Sequence, residues 1–318
     1  MVGYLKDKIS FIFKYLIGAA LLAWLLHRFD LSRIVQALGE LSLFTVGLIF
    51  VFSAVNLWVQ FLRWRFLVRT YSASYDDRDL LPAFFAGFAL RLMVPGGHAE
   101  ISKIFLLPGK KSGKVMAFGW EKYLESLLKL FLVLIALPFA FDFSRWIALG
   151  AALILVVLLV LLPRLMRHRW LERFHEKEVN YQLVFRRIAL YTSLMLICIM
   201  SQYYFLLTDH GSVEISVVVM AVIFIWGSGL LPISVSGLGV RENVAAYFLA
   251  RHGVAAPLAA GGAFFIFAVN VLLPAVIGVV VILRRRRQLQ AEGRRFKRQA
   301  SVYIKKMKSK NKNPEANG

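Results

Sequence analysis

Glu121, Glu125 and Lys129 stand at i, i+4 and i+8 in an otherwise apolar stretch, so on a helix they form one polar stripe. An ionisable side chain in hydrocarbon is expensive and is seldom kept there without a partner or a task. Two readings of the stripe stand side by side: a mutual Glu-Lys pair near a membrane surface, or the wall of a path whose carboxylates exchange partners with Lys103 or Arg241. Two further clusters resemble each other: Pro95-Gly96-Gly97-His98-Ala99-Glu100-Ile101-Ser102-Lys103, and Pro232 through Gly237-Leu238-Gly239-Val240-Arg241-Glu242. Each sets a proline, then glycines, then a glutamate with a nearby base at the mouth of a short apolar helix. Discontinuous helices of this kind aim their positive N-termini at an anionic group and mark transporters built from an inverted repeat.

In the second cluster, Arg241 and Glu242 lie just inside the helix begun by Gly237-Leu238-Gly239, where backbone N–H groups and a guanidinium can both meet a phosphate. The competing reading is a structural ion pair that pins the broken helix. Glu100 and Lys103, at i and i+3, either pair with each other or answer the second cluster across a shared site. Gly96, Gly97, Gly237 and Gly239 permit positive φ, serving tight turns or close approach to a ligand. Asn56, Gln60 and Arg63 share a helical face, and Arg91 is embedded in an apolar segment. Hydrogen bonds between helices and snorkelling to headgroups account for such residues without a ligand. His98 reads as a hydrogen-bonding residue rather than a metal ligand. The chain lacks the second histidine of a zinc-protease helix, a Gly-x-Ser-x-Gly elbow and a P-loop, so neither catalysis nor direct ATP hydrolysis is expected. The single cysteine, Cys198, excludes an internal disulfide and a cysteine-built metal site. No cofactor and no metal are expected.

The elements that must position these groups follow from composition. The chain is 59% hydrophobic yet carries a formal charge of +21, with a mean hydropathy of +0.65. Its apolar residues are bunched into runs near the ~20 residues a bilayer core demands, rather than alternating as in a β-barrel. Eight such segments can be marked: 9 to 26, 41 to 62, 80 to 94, 114 to 141, 144 to 162, 184 to 207, 213 to 231 and 257 to 283. The expected fold is an all-α, polytopic transmembrane helix bundle. The first run has flanking lysines but no small-residue cleavage site, and reads as an uncleaved span.

Basic loops stay cytoplasmic. Arg63, Arg65 and Arg69 follow the second segment, Lys110, Lys111 and Lys114 precede the fourth, five bases from Arg164 to Lys177 follow the fifth, and Arg284 to Arg287 follow the last. Eight simple crossings cannot put all four groups on one side. The pattern closes if 80 to 107 form a re-entrant hairpin and 232 to 256 cross as a broken helix completed by unwound chain. Non-helical backbone at that depth is tolerated only where protein buries it or it lines a wet cavity, so both breaks point to one internal site. The organisation expected is a membrane domain over 1 to 283 and a basic cytoplasmic tail over 284 to 318. That tail suits anionic headgroups better than nucleic acid.

Arg63-Trp64, Pro95-Gly96 through Glu100 and Lys103, Glu121-Lys122 through Glu125, and above all Pro232 through Glu242 resemble the transmembrane region of lysylphosphatidylglycerol synthases, a flippase-like family of bacterial membrane proteins. The resemblance spans most of residues 9 to 283. It implies a bacterial cytoplasmic-membrane protein, multi-pass with both termini inside, that translocates lipid. With only a short tail after residue 283, the resemblance implies the translocase-like half without the synthase domain. Lys103 and Lys122 stand where the family usually has arginine, Glu125 where it usually has aspartate, and Ala99 and Ser236 where glycines are common. Charge sign is kept, but lysine lacks arginine's bidentate grip on phosphate.

The expected function is translocation of an anionic phospholipid or lipid-linked substrate. Its phosphate would sit at 237 to 242, with Glu100 and Glu121 balancing a cationic or hydroxyl-rich headgroup, and with Arg63, Arg91, Lys103, Lys122 and Glu125 completing the site. The alternative is a non-transporting subunit that scaffolds a glycosyltransferase or lipid-modifying enzyme in the membrane, with the basic tail as its docking arm.

Overall fold

A computed structural model describes residues 31–72, 75–93, 98–107, 112–141, 143–165, 179–231 and 234–284. The proposed first span over 9 to 26, the glycines Gly96 and Gly97, and the tail beyond Arg284 lie outside the described residues. The helices are α1 (Leu31–Gly39), α2 (Leu43–Tyr71), α3 (Asp77–Met93), α4 (Ser112–Ala140), α5 (Arg145–Leu165), α6 (Tyr181–Thr208), α7 (Ile215–Gly227), α8 (Val240–Ala250), α9 (Ala256–Phe267) and α10 (Leu273–Arg284). Short 3-10 pieces at His98–Leu106, Ser228–Leu230 and Val235–Gly237 complete the trace, and no strand occurs among the described residues.

Among the described residues, four helical runs are long and apolar enough to cross a membrane: Leu43–Tyr71, Gly113–Ala140, Tyr181–Thr208 and Ala256–Arg284. Their outward faces say what solvent they meet. Phe44 is 73% exposed, Phe139 75% and Trp146 84%. In water such faces would drive association, whereas lipid tails accept them without penalty. The chain is therefore a polytopic helical membrane protein, as its hydropathy requires.

Local chemistry sets the ends of these rods. Ser42 caps α2 by accepting the Thr45 N–H at 3.2 Å, and Asn180 caps α6 by accepting the Leu183 N–H at 3.1 Å. Both caps satisfy donors that the helix itself leaves open. Asp209, at the far end of α6, accepts from the Ser42 N–H at 2.7 Å and from the Thr45 hydroxyl at 2.9 Å, which locks the two long helices together at that end. Arg65 and Arg69 both reach Asp77 at 3.0 Å and fasten the end of α2 to the start of α3.

Close approach of backbones is made by glycine. A Cβ on Gly278 of α10 would overlap the Phe85 carbonyl of α3, and one on Gly113 would overlap the Tyr71 carbonyl. These contacts seat α3 on α10 and the start of α4 on the end of α2. Between α9 and α10 the coil widens to a π-helical step at Ala268–Leu272. Pro274, lacking an N–H, cannot donate to the Asn270 carbonyl four residues back, and the wider turn relieves that position.

Two boundaries differ from the sequence reading. The second segment does not stop at 62 but runs to Tyr71, so Arg63 lies inside a helix rather than in a basic loop. It stays there because its charge is met by carboxylates from a neighbouring helix. The short helix α1, which the hydropathy did not mark, packs Ile34 against Gly261 of α9.

Candidate substrate cavity

The described residues next to both interruptions depart from the α-helix, in different ways. After α3 the chain turns back as the 3-10 segment His98–Leu106, which brings Lys103 and Glu100 over Gly87 of α3. Residues i and i+3 eclipse on a 3-10 helix. Lys103 accordingly donates to Glu100 at 2.9 Å. The expected short apolar helix after this break is thus a 3-10 segment. At the second break Ser236, Gly237 and Gly239 take φ of 53°, 78° and 80°. Gly239 then caps α8, leaving Arg241 and Glu242 in its first turn. Gly237 serves a second purpose, since a Cβ there would sit 3.1 Å from Arg241 Nε.

Charges from three elements meet between these breaks. Arg63 of α2, almost fully buried, donates to Glu121 at 3.1 Å, to Glu125 at 3.0 Å and to the Thr192 hydroxyl at 3.1 Å. Lys103 bridges Glu100 to Glu121 at 3.0 Å, and its ammonium lies 4.0 Å from the centre of the Trp64 ring. Lys122 takes the other oxygen of Glu100 at 2.6 Å, and Lys129 holds Glu125 at 2.8 Å. The outcome is a ladder in which each of the three carboxylates touches two fixed cations. Such pairs hold only while complete, because removing one partner strands a buried charge. The polar stripe of α4 is therefore cross-linked to α2 and to the first break, beyond the Glu125–Lys129 pair that its spacing alone suggests.

Arg91 and Arg241 are placed differently. Neither forms an ion pair among the described residues. Arg241 donates to the Ser236 carbonyl at 2.6 Å and lies 4.0 Å from the centre of the Phe267 ring, while its buried Nε has no acceptor. The Ser236 hydroxyl donates to the Arg91 carbonyl at 3.4 Å, which ties the second break to the last turn of α3. Glu242, 0% exposed, is turned away from the cavity and has no ion pair among the described residues. It occupies the third position of α8, from which a glutamate faces the Gly239 N–H.

A cavity of about 120 Å³ opens between these groups. Its charged lining consists of Arg63, Arg91, Lys122, Lys129 and Arg241 against Glu100, Glu121 and Glu125, five cations to three carboxylates. Its apolar wall includes Phe84, Phe88, Met195, Ile199 and Val222. Of the residues singled out by sequence, Gly237, Gly239, Lys103 and Glu242 support this lining from behind. The sequence reading named Asn56 and Gln60 on the opposite wall but not the amides that Asn56 meets on other helices. Asn56 donates to Asn270 at 3.0 Å, Asn270 to Gln202 at 2.7 Å, and Gln202 to the Ile49 carbonyl at 2.9 Å. The signal was present, since a lone amide in a run of hydrocarbon length needs a partner on another helix. No group of three or more potential metal ligands occurs among the described residues.

The match to a known family falls on this same stretch of chain. Residues 11–278 match the model of the lysylphosphatidylglycerol synthase TM region. The chain belongs to that family. No curated protein matches it significantly. The family is the membrane domain of its namesake and is tied to lipid handling, and the matched residues contain both breaks and the whole charge ladder.

Proposed function

We propose that this protein is a non-enzymatic translocase of the bacterial cytoplasmic membrane for an anionic lipid or lipid-linked substrate. The phosphate would dock between Arg91 and Arg241, with its chain along the apolar wall. One observation supports the reading: a cavity inside a membrane protein is lined by two more cations than carboxylates, and its two arginines beside the breaks form no ion pair among the described residues. Uncompensated charge in low dielectric is strongly unfavourable, so a mobile anion is the natural complement. Glu100 and Glu121, each already held by two cations, serve as framework and not as receptors for a headgroup. The two breaks supply backbone that can change dihedral angles, and rocking of the elements on either side would switch access from one leaflet to the other. The concentration of Lys and Arg at the segment ends supports cytoplasmic termini.

Reconstitution into vesicles with a fluorescent anionic lipid tests the proposal. The native protein should exchange the label between leaflets, and Arg241→Ala should slow exchange by about tenfold or more, the loss expected for a charge-assisted phosphate contact. Equal rates for the two proteins would defeat it.

A further inference from the structure

We infer that the substrate of this cavity carries a terminal phosphate monoester and no amine: a lipid phosphate, as opposed to a phosphodiester or zwitterionic lipid. The inference rests on the transport reading for the location of the phosphate and goes beyond it in naming the headgroup.

The lining has five cations to three carboxylates, an excess of two positive charges. Lys103 and Glu242, buried behind it, carry opposite charges and leave that excess unchanged. A phosphodiester brings one negative charge and would leave one cation unanswered. A monoester brings about −1.5 to −2 near neutral pH, because its second pKa lies near 6. The charge excess therefore matches a monoester.

The state of the carboxylates excludes an amine. Glu100 is held by Lys103 and Lys122, Glu121 by Arg63 and Lys103, and Glu125 by Arg63 and Lys129. An ammonium entering the cavity would meet no free carboxylate and would add to the positive excess. The arginines supply the opposite preference. Arg241 is fixed by the Ser236 carbonyl and the Phe267 ring, and Arg91 leaves the neighbouring turn through the residue whose carbonyl holds Ser236. Two planar forks at one corner suit a terminal phosphate with three free oxygens better than a diester with two. The charged groups around this corner are Arg91, Glu100, Lys122 and Arg241, with Tyr203 on α6 and Glu242 on α8 close by. Phe84, Phe88 and Met195 continue the cavity as an apolar wall, which favours a lipid over a water-soluble phosphate.

The protein in nanodiscs should be titrated with phosphatidate, phosphatidylglycerol, phosphatidylethanolamine and inorganic phosphate, at about pH 8 and about pH 5.5, either side of the second phosphate pKa. At the higher pH phosphatidate should bind about tenfold more tightly than phosphatidylglycerol, a difference of about 1.4 kcal/mol. The gap should close at the lower pH, while phosphatidylglycerol binding stays flat and phosphatidylethanolamine shows no saturation. Arg241→Lys, which keeps the charge and loses the fork, should erase most of the preference, and Arg91→Lys provides the same test if that variant does not fold. Equal binding of the two acidic lipids at the higher pH, or saturable binding of phosphatidylethanolamine, would overturn the inference. Inorganic phosphate displacing as well as phosphatidate would reassign the site to a soluble phosphate and overturn it too. Because binding is read without transport, selective binding with no leaflet exchange would sink the translocase reading alone. Exchange of phosphatidylglycerol as fast as phosphatidate would sink the monoester alone.

Discussion

The charge ladder on α4 and the arginine corner beside the two breaks use the same residue types, yet they are built on opposite principles. In the ladder, Glu100, Glu121 and Glu125 each touch two cations, and Arg63 is sealed between helices. At the corner, Arg91 and Arg241 form no ion pair among the described residues; Arg241 is oriented by the Ser236 carbonyl and the Phe267 ring, and the Arg91 backbone is tied to Ser236. A saturated buried network resists change, because opening it strands a charge. Cations that form no ion pair stand ready for an anion that comes and goes. The difference separates what holds the bundle from what receives a guest.

The contrast breaks most visibly at Glu121. Glu121→Ala leaves Arg63 and Lys103 short of a partner and should destabilise the protein by about 3–5 kcal/mol, the usual effect of halving a buried pair. Arg241→Gln should change stability by less than about 1 kcal/mol, since no ion pair is lost there. Thermal unfolding in detergent compares them, and equal losses would erase the distinction. Gly278→Leu tests the packing behind the corner. Its side chain would collide with the Phe85 carbonyl, an overpacking worth about 1–3 kcal/mol that shifts α3 and with it Arg91. The same unfolding measurement reads it, and a native-like transition would show that α3 and α10 are not tightly seated.

Gly237→Ala sharpens the comparison at one position. A left-handed residue with a Cβ costs about 1–2 kcal/mol, and this Cβ would press on Arg241. Lipid exchange should fall more than stability does, and the reverse order would place the glycine with the framework. The smallest effect lies outside both regions. The Ser42 N–H, assisted by the Ser42 and Thr45 hydroxyls, holds the Asp209 carboxyl below its ordinary value of 3.8. A depressed folded value means that this stabilisation is full above about pH 4 and is lost as pH falls through the lower value. A native-minus-Asp209→Asn stability difference that is constant above about pH 4 and shrinks below it is the expected profile.

Spacing and hydropathy made the rods and their interruptions legible. The stripe of Glu121, Glu125 and Lys129, the positive-φ glycines at 237 and 239, and the pairing of Glu100 with Lys103 are local facts of three or four residues, and periodicity reads them directly. Partners far apart in sequence were not legible. Nothing local tells Arg63 that it will meet Glu121, or brings Ser236 to Arg91 across the fold. Arg63 also misled, because a base after an apolar run looks like a loop until its carboxylates are in view. The Asn56, Asn270 and Gln202 chain was hidden for the same reason, and Glu242 looked like a ligand although α8 turns it away from the cavity.

The central claim, that the arginine corner holds an anionic lipid, is tested most directly by mass spectrometry of the lipids that remain on the purified protein. The native protein should retain acidic phospholipid above its share of the membrane, and the Arg91→Gln, Arg241→Gln double variant should return to that share while staying folded. An unchanged lipid complement in the variant, or a zwitterionic lipid dominating in the native protein, would contradict it.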